Sequence, residues 1–207
     1  MSCDQFKIAL HTRDETDACK QVDKMLKCSD LEPEFLTLAC HEAIACKNVS
    51  AAIAALSSML SLYSSERVLA TGEVTVLRNL ILLLIREKKN RCETVKYFKH
   101  AQKRLEEVGS EKFFGCGGNE EREAKWFAGA SWNQATEAGK EQDWKACFEL
   151  YAVSSEFYAV LPQSLSNLQT LQTALLLCVS ALLAIDDECD SESLKSAKYY
   201  LDKCRKV

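Results

Sequence analysis

Cysteine is the residue type in this 207-residue chain most able to carry chemistry, and there are 11 of them. Thiolates hold zinc when they come in closely spaced pairs, and they form disulfides in an oxidising compartment. No C-x-x-C pair and no H-x3-H pair occurs anywhere in the sequence. An odd number of cysteines without motif spacing indicates a reducing compartment, in which the thiol acts as a small hydrophobe. Cys40, Cys147, Cys178 and Cys204 each fall on the expected buried side of a helix. Gly115, Gly117 and Gly118, in KFFGCGGN, invite comparison with a phosphate loop, but that loop needs G-x4-G-K-[ST] between a strand and a helix. Neither the lysine nor the strand is present. His11, His41 and His100 share no Cys or carboxylate pattern, so a catalytic base or metal ligand has no support in spacing. No cofactor, metal or catalytic residue is expected.

Two other groupings could bind rather than react. REKKNRCETVKYFKHAQK, Arg86 to Lys103, concentrates positive charge beside Tyr97 and Phe98 and could touch phosphate. Phe98 is needed for helix packing, however, and a solvated helix face accounts for the charges. Trp126, Trp132 and Trp144 could form a peptide platform, but aromatic residues at helical spacing usually belong to a core.

The elements that must position these residues are helices. With 2 prolines and 7 glycines the chain lacks the turn punctuation of an all-β fold, and 47% hydrophobic residues suffice for a continuous core. The net charge of −4 gives no basic footprint for DNA or RNA. The N-terminal residues MSCDQFKIALHTRDETD show no signal peptide, so an intracellular protein is expected. The apolar runs Val74 to Ile85 and Leu171 to Ile185 are shorter than the about 20 residues of a bilayer span. They read instead as helices buried on nearly all sides, as in a stack of helical hairpins.

A repeat emerges from the packing positions. Ala18, Val22 and Met25 form one second-helix triad, and Ala52, Leu56 and Met59 form the next, 34 residues later, which is the tetratricopeptide period. Counting back from Ala52 places Leu36, Ala39, Cys40 and Ala43 on the first helix, with Pro33 in its first turn, where a missing N–H costs nothing. A third hairpin pairs Glu73 to Lys88 with Cys92 to Glu107, using Thr94, Phe98 and Ala101 and a capping box at Asn90 and Glu93. A fourth pairs Glu121 to Ala138 with Asp143 to Ala159, using Trp144, Cys147, Tyr151 and Ser154 and ending at Pro162. A fifth pairs Leu165 to Ile185 with Ser191 to Lys206, using Ala197, Leu201 and Cys204. The triads are 34, 42, 53 and 50 residues apart, so the expected fold is all-α, an irregular α-solenoid of about five tetratricopeptide-like hairpins.

The glycines at 110–120 mark a hinge loop within one array spanning residues 1–207. Residues 4–11 look too few for a full first helix, so the array is expected to begin halfway through a repeat, and Ser191 to Val207 suits a polar cap. Exposed first-helix positions would line a concave surface able to hold partner segments: Glu34, Thr37, His41, Asn79 and Arg86.

The fourth hairpin, EAKWFAGASWNQATEAGKEQDWKACFELYAVSSEFYAVLP, Glu123 to Pro162, resembles the meiotic tetratricopeptide scaffold family called sporulation-protein-22-like or Zip-four-like. The matching elements are the pair Trp132-Asn133 followed by Ala135, then Gly139, Asp143, the stretch Glu149-Leu150-Tyr151, and the ending from Tyr158 to Leu161-Pro162. GEVTVLRNLILLL and the basic helix after it also look similar, which extends the resemblance over residues 30–207. The resemblance implies a nuclear, chromosome-associated scaffold of the ZMM group, without enzymatic activity, that supports class I crossover formation and homologue synapsis. Its implied partners are recombination factors and synaptonemal-complex and axis proteins, with no membrane and no direct nucleic-acid contact. Members of the family are several times longer, so this chain is expected to be a portion or short form of such an array. Trp132 and Asn133 are read as packing residues of that signature. The alternative is a general tetratricopeptide adaptor of the chaperone co-factor type that clamps a peptide carboxylate, for which only Asn79 and Arg86 qualify.

Overall fold

A computed structural model describes residues 2–28, 31–63, 69–88, 91–115, 118–185 and 191–207. Among the described residues the chain forms eleven helices and no strand, which is the all-α class the sequence predicts with one helix more than five hairpins hold. It divides into two compact units, Met1–Lys89 and Asn90–Val207.

The first unit holds α1 (Ser2–His11), α2 (Glu15–Leu26), α3 (Pro33–Ala45), α4 (Val49–Leu60) and α5 (Glu73–Arg86). Helix α1 packs on α2 and α3 on α4, while α4 also packs on α2 and α5. The buried residues of α2 include Ala18, Val22 and Met25, and those of α3 are Leu36, Ala39, Cys40 and Ala43, the predicted phase. Ala52, Leu56 and Met59 are buried on α4. The segment read as half a repeat is a ten-residue helix whose Phe6, Ala9 and Leu10 are buried, so the first hairpin has both its helices.

The second unit holds α6 (Arg91–Val108), α7 (Ser110–Phe114), α8 (Glu120–Lys140), α9 (Trp144–Ala159), α10 (Leu165–Leu183) and α11 (Ser191–Lys206). Helix α9 is its centre, packed against α6, α8 and α10, with α11 on α10. Its core is aromatic: Phe127 and Phe157 stack at 5.0 Å, and Phe113 and Phe114 close over them at 6.2 and 6.3 Å.

That aromatic layer lies within the segment read as a hinge loop, 110–120. Phe113 and Phe114 are both buried, and residues 110–114 are helical because burying two rings outweighs the neighbouring glycines. Gly115 and Gly118 do take the left-handed conformation only glycine adopts freely, while Gly117 lies outside the described residues. The unit boundary instead falls at Lys89 and Asn90, between the two helices that the sequence pairs as a third hairpin. Asn90 and its capping box also lie outside the described residues.

The same turn closes three hairpins. Helices α1, α3 and α8 are each followed by a residue with positive φ, Arg13 (59°), Lys47 (58°) and Gln142 (60°), and then by Asp14, Asn48 or Asp143. The backbone N–H of that Asp or Asn donates to a carbonyl in the last turn of the helix, Ala9, Ala43 or Ala138. Its side chain then caps the next helix by accepting from the N–H of Asp17, Ala51 or Ala146. One residue thus ends a Schellman motif and starts the following helix. Lys88 (49°) follows α5 in the same conformation.

The two apolar runs are less buried than their composition suggests. Leu82 on α5 is 43% exposed, and Leu176 and Leu183 on α10 are 49% and 47% exposed. Each helix is flanked on part of its circumference only, so the remaining stripe faces outward. Helix α10 is the one helix among the described residues long and apolar enough to cross a membrane by length and composition. It nevertheless buries Leu171, Leu175, Cys178 and Leu182 within the second unit. Helix α11 departs from expectation too. Ala197 is buried, Cys204 is half-buried, and Leu194, Tyr199 and Leu201 are exposed, so its outer face is not a polar cap.

Candidate functional site

The first unit contains a groove of about 690 Å³. One wall is α3, which presents Thr37, Cys40, His41 and Ile44, a stripe at helical spacing. The other wall is α5, which presents Thr75, Val76, Asn79, Leu82, Leu83 and Arg86, with Thr71 just before it. Leu56 and Met59 of α4 form the floor. Small packing residues on α3 and α4 (Ala39, Ala43, Ala52, Ala55) let those helices approach closely, while α5 stands on the other flank of α4.

The groove has a direction. Residues 46–48 turn α3 back along α4, and the Tyr63 hydroxyl donates to the Thr71 carbonyl, tying the end of α4 to the start of α5. Helices α3 and α5 therefore run the same way. Thr37 lies beside Met59 (Oγ1 to Sδ, 3.5 Å), so Thr37, Thr71 and Thr75 make a hydroxyl end. His41, Ile44, Leu83 and Arg86 make the opposite end. Among the described residues no carboxylate lines the groove, and Arg86 gives it a fixed positive charge. Glu42 and Glu87 follow His41 and Arg86 in sequence but lie off the lining.

Burial pushes the Cys40 thiol up to about 11, which keeps it neutral and a poor nucleophile at physiological pH. Burial, reinforced by the Glu73 carboxylate, likewise pushes the Tyr63 phenol up to about 12. Among the described residues no group of three or more His, Cys, Asp or Glu could hold a metal ion.

Four of the five residues expected on the concave face, Thr37, His41, Asn79 and Arg86, come together here. The fifth, Glu34, is exposed in the first turn of α3 and does not line the groove. Sequence reasoning missed the apolar lining: Cys40 was assigned wholly to packing, and Ile44, Leu82 and Leu83 were not singled out. The available signal was that Ile44 and Leu82 each sit three residues after a predicted groove position, on the same helix face.

The signature residues of the fourth hairpin lie in the second unit. Trp132 is half-buried and meets Tyr151 and Tyr158 edge-on, at 5.2 and 6.4 Å. Thr136 Oγ1 lies 3.1 Å from the Tyr151 hydroxyl. Asn133 is exposed. Trp144 opens α9 beside Gly139, where an added Cβ would sit 3.3 Å from Cys147 Sγ and 3.8 Å from the Trp144 ring, so glycine sets the close approach of α8 and α9. Pro162 is exposed beyond α9, and its carbonyl accepts from the Ser164 N–H and the Asn167 side chain. Trp126 packs edge-on against Phe127. Of the charges of the basic segment, Lys96, Lys99 and Lys103 are exposed on α6, where Lys99 pairs with Glu149, Lys103 with Glu107, and Lys96 lies over Tyr97, while Arg91 is half-buried and pairs with Glu141 and Asp143.

No family model matches the chain, and no solved structure matches it.

Proposed function

We propose that this chain is a non-enzymatic protein–protein interaction scaffold, an irregular α-solenoid of tetratricopeptide-like hairpins whose groove over α4 holds a segment of a partner protein. The observation that carries this reading is the groove: four residues selected on repeat phase alone line one apolar channel between two first helices. Extended inner surfaces of this kind let solenoids hold peptides through several shallow contacts. The recurring turn, found after α1, α3 and α8, adds support for a common hairpin unit.

The resemblance of the fourth hairpin extends the proposal to a nuclear, chromosome-associated scaffold that promotes class I crossover formation and homologue synapsis. Incubating the folded chain with meiotic extract, beside a Leu82→Asp variant, tests both levels. Selective retention of crossover or axis proteins by the unaltered chain is the expected result. If neither chain retains any of them, the meiotic role is lost for this chain. The second reading, a general peptide adaptor, is favoured by Asn79 and Arg86 sharing the groove. It predicts that peptides ending in a free carboxylate bind and that their amides do not.

A further inference from the structure

The groove has two chemically different ends, and this asymmetry bears on what it holds. The wall of α5 from Thr75 to Arg86 covers about 16 Å at the rise of an α-helix, enough for about five residues of extended peptide. Its middle is apolar, formed by Leu56, Met59, Val76 and Leu82. At one end stand only hydroxyls, which discriminate weakly between charges. At the other stand Arg86 and His41 on opposite walls, and among the described residues no acidic side chain lines the channel to neutralise the guanidinium. A positive charge left beside an apolar channel is best complemented by an anionic group on the occupant, through a charge-assisted hydrogen bond.

Resting on the scaffold reading above, we propose that the groove takes an internal segment of a partner protein made of apolar residues followed at one end by an aspartate or glutamate side chain, docked with that carboxylate toward Arg86. An internal side chain fits better than a chain terminus. Asn79 and Arg86 both belong to α5, with His41 alone across from them, so the donors do not enclose a terminal carboxylate from several helices. Arg86 is exposed at the end of α5, which lets the bound chain continue past it. Arg86 also complements the dipole at the end of α5, a structural role that depends on its charge but is blind to the occupant's sequence.

The test uses the full chain and fluorescein-labelled 14-residue peptides, each with a Leu/Ile/Met core and a single Glu, Gln or Lys at one flank, and each made with an amidated and with a free C-terminus. The Glu peptide is expected to bind about tenfold more tightly than its Gln twin, as for one charge-assisted contact. In Arg86→Glu that preference should invert in favour of Lys, while the Gln peptide binds both proteins alike. Leu82→Asp should weaken all three. If Glu and Gln peptides bind equally and Leu82→Asp still weakens them, the acidic-end proposal is overturned while the groove reading stands. Discrimination only by a free C-terminal carboxylate also overturns it, in favour of the adaptor reading. If no peptide binds a chain shown to be folded by its helical circular dichroism, both readings fail.

Discussion

The inner surfaces of the two units differ at one position: over α4 lies an open groove, and at the corresponding place over α9 large aromatic rings meet. Thr37 on α3 and Trp132 on α8 hold the same position relative to the packing triads of their partner helices, which begin at Ala52 and Cys147. Leu56 of the first triad corresponds to Tyr151 of the second. In the first unit a threonine over a leucine leaves a channel of about 690 Å³. In the second a tryptophan meets a tyrosine edge-on at that place, and Thr136, the counterpart of His41, lies 3.1 Å from the tyrosine hydroxyl. The same hairpin plan thus leaves an open channel or brings large rings together according to side-chain volume at one inward position.

The comparison can be broken most forcefully in the core of the second unit. Phe157→Ala removes a fully buried ring stacked between Phe114 and Phe127 and should lower stability by about 4 kcal/mol. Chemical denaturation should show the loss in the transition of residues 90–207, and equal losses in both units would show that they unfold as one. Exchanging the inward residues comes next. Trp132→Thr should cost about 2 kcal/mol, because the ring is only half-buried, whereas Thr37→Trp should change stability by less than about 1 kcal/mol while abolishing peptide binding. Retention of binding by a folded Thr37→Trp chain would show that the groove over α4 is not the site.

Alkaline titration gives a smaller effect in both units. An ordinary thiol ionises at 9.0, but burial holds Cys40 to about 11 and Cys178 to about 12. Between those values the unfolded chain releases protons that the folded chain retains, so stability falls as pH rises. The contribution of each thiol is complete below pH 9 and gone above its folded value. Cys40→Ala should flatten the slope in the first unit and Cys178→Ala in the second, measured by urea denaturation from pH 8 upward. The smallest expected change is a gain. Lys47→Gly and Gln142→Gly relieve a left-handed conformation that L side chains resist, and each should stabilise its own unit by up to about 1 kcal/mol, seen as a raised Tm.

Helix positions and packing phases were legible in the sequence because one physical signal, apolar periodicity, specifies both. Leu36, Ala39, Cys40 and Ala43 are the buried set of α3 for that reason. Phe113 and Phe114 were not legible, since two adjacent aromatics bracketed by glycines carry no period and their burial depends on Phe127 and Phe157 far along the chain. Exposure of Leu82 and Leu176 was hidden for the opposite reason: composition reports apolarity but not how many neighbours surround a helix. The groove was half-visible, its polar rim read from repeat phase and its apolar floor assigned to packing.

The shared turn has a kinetic consequence. Each copy is complete within a few residues, and the helices it joins are neighbours in sequence, so the entropic cost of bringing them together is small. Three separate places along the chain can each start a hairpin without waiting for another. Folding should then be fast, proceed from several nuclei, and reach the apolar channel last on its side, because α5 is separated from α4 by more residues than α2 is from α1 or α4 from α3.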